Sequence, residues 1–160
     1  MQGSLSHELE VGVPASVVWD LYKGLGIGKL VSELAPHVIE KVEVVEGDGG
    51  LGTVLKLTFP AGTPMLTFYK EKFTIVDHEK RIKETEVIEG GFLDLGFSLY
   101  RVTFEIIEKD TDSSIIKSIV EYQVKQEFAS NASVVSIGPV GAVSEMAAKY
   151  LLEKKSSASN

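Results

Sequence analysis

A chain of 160 residues is long enough to bury a sizeable core in one domain, and its 44% hydrophobic and 24% charged residues are globular rather than disordered proportions. Its 23 acidic and 16 basic residues give a formal charge of -7, which argues against nucleic acid or an anionic membrane as partner. With no cysteine, disulfides, thiolate nucleophiles and Cys-ligated metals are excluded.

Met1 to Glu10 contain no apolar run, so no signal peptide is expected, and nowhere is there the roughly 18-residue uncharged stretch that a membrane span needs. A cytoplasmic protein is the expectation. A first strand is expected from about Gly3 to Val11. Pro14 suits a helix's first turn, and Val17, Val18, Leu21 and Tyr22 recur at helical spacing. Gly24, Gly26 and Gly28 interrupt that pattern, which predicts two short helices rather than one, closed off by Pro36.

From Val38 to about Lys125 the period changes to two. Leu55, Leu57 and Phe59 alternate with Lys56 and Thr58, and Ile116, Val120, Tyr122 and Val124 alternate with mostly polar neighbours. Short turn signals separate these runs: the glycine-rich Gly47–Gly50, Pro60-Ala61-Gly62, Asp77-His78-Glu79, Gly90-Gly91 and Asp110-Thr111-Asp112. Connections this short make hairpins, and so an antiparallel meander. A second helical stripe runs from about Phe128 to Lys154, with Gly138-Pro139 bending or restarting it. Such a helix has one place to bury its apolar face, across the inner face of the sheet. The predicted architecture is α+β, with a seven-stranded curved antiparallel sheet wrapped around a long C-terminal helix and two short helices after the first strand. Residues 1–155 are expected to form one domain enclosing a large cavity, and 156–160 a frayed tail.

Glu46 to Gly52 looks superficially like a nucleotide loop, but it lacks the Lys-Ser/Thr ending, precedes a strand, and carries acid rather than base. A tight hairpin turn is the expectation. His7, His37 and His78 lack ligand spacing, so no metal site is expected.

The informative segment is Phe68 to Val87. Alternation puts Tyr69, Glu71, Phe73 and Ile75 on one strand face and Phe68, Lys70, Lys72 and Thr74 on the other. Glu71 therefore points with the apolar set, which is costly unless it is paired or wet. A three-residue loop Val76-Asp77-His78 would set Glu71 opposite Lys83 and Phe73 opposite Arg81. The pair is then either an edge ion pair of little energetic consequence or an acid/base pair on a cavity wall.

Glu46-Gly47-Asp48-Gly49-Gly50-Leu51-Gly52-Thr53, Tyr69-Lys70-Glu71-Lys72-Phe73, Asp77 to Lys83 and Ile88 to Gly96 resemble the norcoclaurine synthases. The opening Gly3-Ser4-Leu5-Ser6-His7-Glu8-Leu9-Glu10-Val11 resembles the norbelladine synthases. Both groups belong to the pathogenesis-related class-ten, birch-pollen-allergen superfamily. The resemblance covers essentially the whole chain and implies the helix-grip fold. It also implies cofactor-independent condensation of a phenethylamine (dopamine or tyramine) with an aromatic aldehyde, in alkaloid biosynthesis. The norcoclaurine type continues to Pictet–Spengler ring closure, and the norbelladine type stops at the imine. A non-catalytic carrier of hydrophobic ligands, as monomer or weak homodimer, is the remaining alternative.

Carried over by position, the resemblance makes Tyr69, Glu71 and Lys83 catalytic. It puts Arg101 in the cavity where the norcoclaurine type has an Asp. Phe59, Phe73, Phe97, Leu99 and Val143 are the expected apolar walls that exclude water. Glu71 is expected to hold Lys83 protonated, and so to disfavour a Schiff base on it.

Overall fold

The computed structural model describes residues 1–158. Strand β1 (Gln2–Val11) leads to α1 (Ala15–Tyr22) and α2 (Gly26–Leu34), with Pro14 as the N-cap of α1. Strands β2 (Lys41–Glu46), β3 (Val54–Thr58), β4 (Phe68–Asp77), β5 (Ile82–Gly90), β6 (Phe97–Asp110) and β7 (Ser113–Val124) follow. A short 3-10 turn, Gly91–Leu95, connects β5 to β6. All neighbours are antiparallel, in the order β1-β7-β6-β5-β4-β3-β2. The sheet is thus a meander whose first strand has crossed over to pair with its last, Gln2 opposite Gln123 and Val11 opposite Ser114.

The expected C-terminal helix starts later than its periodicity suggests. Residues Gln126–Val134 form 3-10 turns with a kink at Phe128, Val135 is extended, and α3 runs over Gly138–Ala158. Gly138-Pro139 therefore restarts the chain as a helix rather than bending one, because Pro lacks the N–H that a continuous helix would need. Of the expected tail, 156–158 continue α3, and Ser159 and Asn160 lie outside the described residues.

The inner face of the sheet carries two apolar groupings. Val143, Ala147, Ala148 and Leu151 of α3 pack with Val11, Val18, Trp19, Ile106 and Ile116. Leu55, Leu57, Tyr69, Phe73, Phe92, Phe97, Tyr100 and Val120 form the second. Burial of each such side chain contributes about 1.5–3 kcal/mol. Where α3 crosses β7 a polar seam replaces apolar contact, with the buried Ser144 and Ser118 hydroxyls 3.3 Å apart.

The glycine-rich segment is the β2–β3 hairpin turn expected from the sequence. Gly47 has φ +92°, and a Cβ there would sit 2.6 Å from the Thr53 hydroxyl. The Thr53 Oγ1 accepts the Gly49 N–H at 2.9 Å, which closes the turn.

Candidate active-site cavity

Three neighbouring strands build one wall of the site. On β4 the inward residues are Tyr69, Glu71 and Phe73; on β5, Lys83, Thr85 and Val87; on β6, Tyr100, Val102 and Phe104. Together with Ile27, Val31 and Val143 from the helices they surround a cavity of about 520 Å³. Its exposed rim includes Pro64, Ser133, Ser136 and Pro139, which marks the mouth. Among the described residues lining it, Glu71 and Lys83 are the charged ones.

Register differs from the sequence expectation. Glu71 pairs with Val87, Phe73 with Thr85, and Val76 with Lys83. The β4–β5 turn lies at His78–Arg81, where Asp77 Oδ1 accepts the N–H groups of Glu79 and Lys80 and Arg81 takes φ +54°. A bulge between Phe73 and Ile75 then turns Ile75 outward, where it is 41% exposed, and Val76 inward. Glu71 and Lys83 still reach the same cavity, from separate rows of the sheet. They make no direct ion pair.

Lys83 is instead tied to the end of α1. It is 2% exposed. Its Nζ donates to the carbonyls of Tyr22 at 2.9 Å and Gly24 at 2.8 Å and lies 4.0 Å from the Phe73 ring centre. The last carbonyls of a helix have no intrahelical partner, and the negative end of its dipole favours a cation. Two N–H groups are used in this way, and a third remains for a ligand.

Burial dominates the electrostatics. It pushes the Lys83 ammonium down to about 8, against the opposing charge of Glu71. Glu71 acts in the expected direction, favouring the ammonium, but desolvation outweighs its attraction. Burial likewise raises the Glu71 carboxyl, with Lys83 and a hydrogen bond from Thr85 acting in the opposite direction. The Tyr69 and Tyr100 phenols are raised by burial and by the Glu71 charge. Both remain hydrogen-bonding groups rather than titrating ones.

Of the expected walls, Phe59, Phe73 and Val143 line the cavity. Leu99, Arg101 and Phe97 do not. A bulge after Phe97 shifts the β6 register, with Phe97 opposite Val124 and Leu99 opposite Gln123. Strict alternation from Phe97 therefore fails, and Tyr100 and Val102, not Leu99 and Arg101, point inward. Phe97 is buried behind Phe92, its ring 5.4 Å away and edge-on. Arg101 lies on the outer face, its Nε 2.9 Å from Glu84 and its guanidinium 3.6 Å from Glu86. The charge reversal expected in the cavity is absent, and both inward neighbours of Arg101 are uncharged. Sequence reasoning missed Thr85, Tyr100 and Phe92. Alternation from Lys83 along β5 would have found Thr85; Tyr100 is hidden by the bulge.

The histidines lie apart. His78 Nδ1 accepts the Trp19 indole N–H at 3.2 Å, His7 sits against Gly141 of α3, and His37 is exposed. No helix among the described residues is long and apolar enough to cross a membrane.

The chain is 51% identical over 159 residues to norbelladine synthase from Narcissus pseudonarcissus, covering 99% of this chain and 98% of that one. It is 42% identical over 153 residues to S-norcoclaurine synthase from Thalictrum flavum subsp. glaucum, covering 95% and 72%. The structure of Thalictrum flavum norcoclaurine synthase in complex with dopamine and hydroxybenzaldehyde superposes with a TM-score of 0.86 at 40% identity, covering 96% of this chain and 88% of that one. The sequence pattern of the pathogenesis-related protein Bet v 1 family matches residues 1–154, nearly the whole chain, and it is to this family that the protein belongs.

Proposed function

We propose that the protein is an enzyme of alkaloid biosynthesis that condenses a phenethylamine with an aromatic aldehyde to an iminium and closes the ring by Pictet–Spengler chemistry. One observation carries the reading: an apolar cavity whose charged lining residues are one half-buried carboxylate and one buried ammonium, which make no ion pair with each other. A carrier of hydrophobic ligands gains nothing from two desolvated charges, which cost stability. A relative 51% identical that is named a norbelladine synthase, and a neighbour solved with dopamine and hydroxybenzaldehyde, support the substrate class.

The amine nitrogen adds to the carbonyl carbon, and the carbinolamine loses water. The free N–H of Lys83 donates to the departing oxygen as general acid. Ring closure forms a C–C bond from the electron-rich ring to the iminium carbon, and Glu71 takes the proton left on the attacked carbon. Tyr69 orients the nitrogen. The apolar walls exclude the water that would return an imine to aldehyde. Protons and bonds balance without a redox or metal cofactor, so the activity is a cofactor-independent, C–N and C–C bond-forming lyase, in the cytoplasm as a monomer or weak homodimer.

A second reading stops at the open imine. It is favoured by Glu71 being the one carboxylate among the described cavity residues, with Tyr100 and Val102 at the inward positions beside Arg101. Incubation with dopamine or tyramine and either 4-hydroxyphenylacetaldehyde or 3,4-dihydroxybenzaldehyde, with and without borohydride, separates the two. Chiral cyclic product supports ring closure, and secondary amine formed only after reduction supports the imine. Tight binding without turnover above the uncatalysed rate would leave a carrier.

A further inference from the structure

Trp19 begins the last turn of α1 and is 5% exposed. Its indole Nε1 donates to Nδ1 of the exposed His78 at 3.2 Å, and the two rings meet edge-on with centres 5.7 Å apart. His78 opens the turn between β4 and β5, and Lys83 enters the cavity from β5 five residues later. The same hairpin end thus touches α1 twice. The two contacts are linked on the helix side. The Trp19 carbonyl accepts the Lys23 N–H at 2.8 Å, and the residues flanking Lys23, Tyr22 and Gly24, supply the two carbonyls that hold the Lys83 ammonium. They are linked on the sheet side too. Asp77 Oδ1 accepts the N–H groups of Glu79 and Lys80, and the Arg81 carbonyl accepts the Ile106 N–H of β6 at 3.0 Å. The contacts close a ring that runs from His78 through Trp19, the end of α1 and Lys83 back along the turn.

We propose that His78 is a positioning residue for Lys83: by holding the Trp19 indole it fixes the end of α1, and with it the two carbonyls that aim the ammonium. This rests on the amine–aldehyde reading and gives a residue outside the cavity a part in its proton supply. A side-chain change cannot delete a backbone carbonyl, but it can displace one. His78 is exposed and its partner is not, so loss of the acceptor leaves a buried indole N–H unpaired. Such a group is costly, and the cost is relieved by moving it toward water. Movement of Trp19 carries the carbonyls at the end of α1 with it, and misplacing a reacting group by about 1 Å can cost about 10²-fold in rate.

The test compares His78→Asn and His78→Leu with the unchanged protein. Asparagine places its amide oxygen close to where histidine carries Nδ1, so an acceptor survives; leucine keeps apolar contact with the indole and offers none. His78→Leu should lower kcat for trappable imine by about 10-fold or more with both KM values unchanged, and His78→Asn should restore kcat to within about twofold. Carbamylation of Lys83 by cyanate, read by peptide mass spectrometry, follows the ammonium without any turnover. It should quicken by about 2- to 10-fold in His78→Leu, the range that loss of one hydrogen bond gives, and stay unchanged in His78→Asn. The exposed Lys125 should react alike in all three proteins. His78→Gln, whose acceptor sits one bond farther out, takes the place of His78→Leu if that variant does not fold. The proposal is overturned by equal kcat in all the proteins, by equal losses in the asparagine and leucine variants, by a rise in KM in place of the fall in kcat, or by Lys83 labelling that does not respond. The functional reading fails separately: an unchanged protein that forms neither imine nor cyclic product, with Lys83 labelling still governed by the side chain at position 78, would refute the enzyme and leave the tie standing.

Discussion

Lys83 and Tyr22 join the middle of the sheet to the end of α1: the ammonium donates to the last helical carbonyl at 2.9 Å, with the Gly24 carbonyl 2.8 Å from the same nitrogen. The α1–α2 turn thereby aims the nitrogen proposed to protonate the leaving oxygen. Its position is set by backbone, which no neighbouring side-chain substitution removes.

Lys83→Ala is therefore expected to lower formation of imine and cyclic product alike, since proton supply precedes ring closure. A positioned acid contributes about 10²–10⁴-fold. Single-turnover rates with borohydride trapping measure it, and a rate like that of the unchanged protein would remove Lys83 from the chemistry.

Glu71→Gln separates the two steps. Cyclic product should fall while trappable imine persists, because the amide keeps the shape but cannot accept the ring proton. Equal loss of both products would contradict this division of labour.

The pH profile follows from the pair. The proposed mechanism requires Glu71 ionised and Lys83 protonated. Burial raises Glu71, so the acid limb should lie above the ordinary carboxylate range; burial lowers Lys83 to about 8, so the alkaline limb should fall near there. The limbs belong to the coupled pair rather than to either group. Stability has its own sign. The unfolded chain, with lysine at 10.5, binds more protons than the folded one between about 8 and 10.5, so the Lys83 contribution makes stability rise with pH across that window. Denaturant titrations of the protein and of Lys83→Met isolate this contribution, and identical pH slopes in both would count against it.

Gly91→Ala tests Tyr69 indirectly. Gly91 has φ +52°, and a Cβ there would come within 2.9 Å of the Tyr69 Cβ and ring. Strain of this kind costs about 1–3 kcal/mol. We expect a lower melting temperature and reduced turnover together, and a stable variant with full activity would show that Tyr69 tolerates displacement.

Arg101→Ala should change turnover less than twofold. Its partners are Glu84 and Glu86 on the outer face, and a half-exposed ion pair contributes about 0–1 kcal/mol. A large loss of activity would place Arg101 in the catalytic machinery after all.

Much of this was legible in the residues. Alternation alone puts Tyr69, Glu71 and Phe73 on the inner face of β4, and the glycines after Tyr22 predict the break that gives α1 and α2. Alternation fails at bulges, which carry no strong mark in a single sequence. The irregularity after Phe73 turns Ile75 out, and the one after Phe97 sends Leu99 and Arg101 away from the cavity and brings Tyr100 into it. The β4–β5 turn was misread for a different reason. Asp77 caps the following N–H groups from within the strand, and Arg81, not a glycine, takes the left-handed conformation. The Lys83 contacts with α1 are tertiary, between residues about sixty positions apart, and no local pattern encodes them.

The pairing of β1 with β7 also orders events in time. A ribosome releases Gln2–Val11 long before Ser113–Val124 exists, so the first strand waits with neither of its hydrogen-bonding edges occupied. Contacts this distant in sequence close slowly once both partners are present. The waiting strand carries Glu8 and Glu10 among its apolar residues, and such charges blunt association between nascent chains. Since α3 emerges later still, the substrate cavity can acquire its roof only when synthesis is nearly finished.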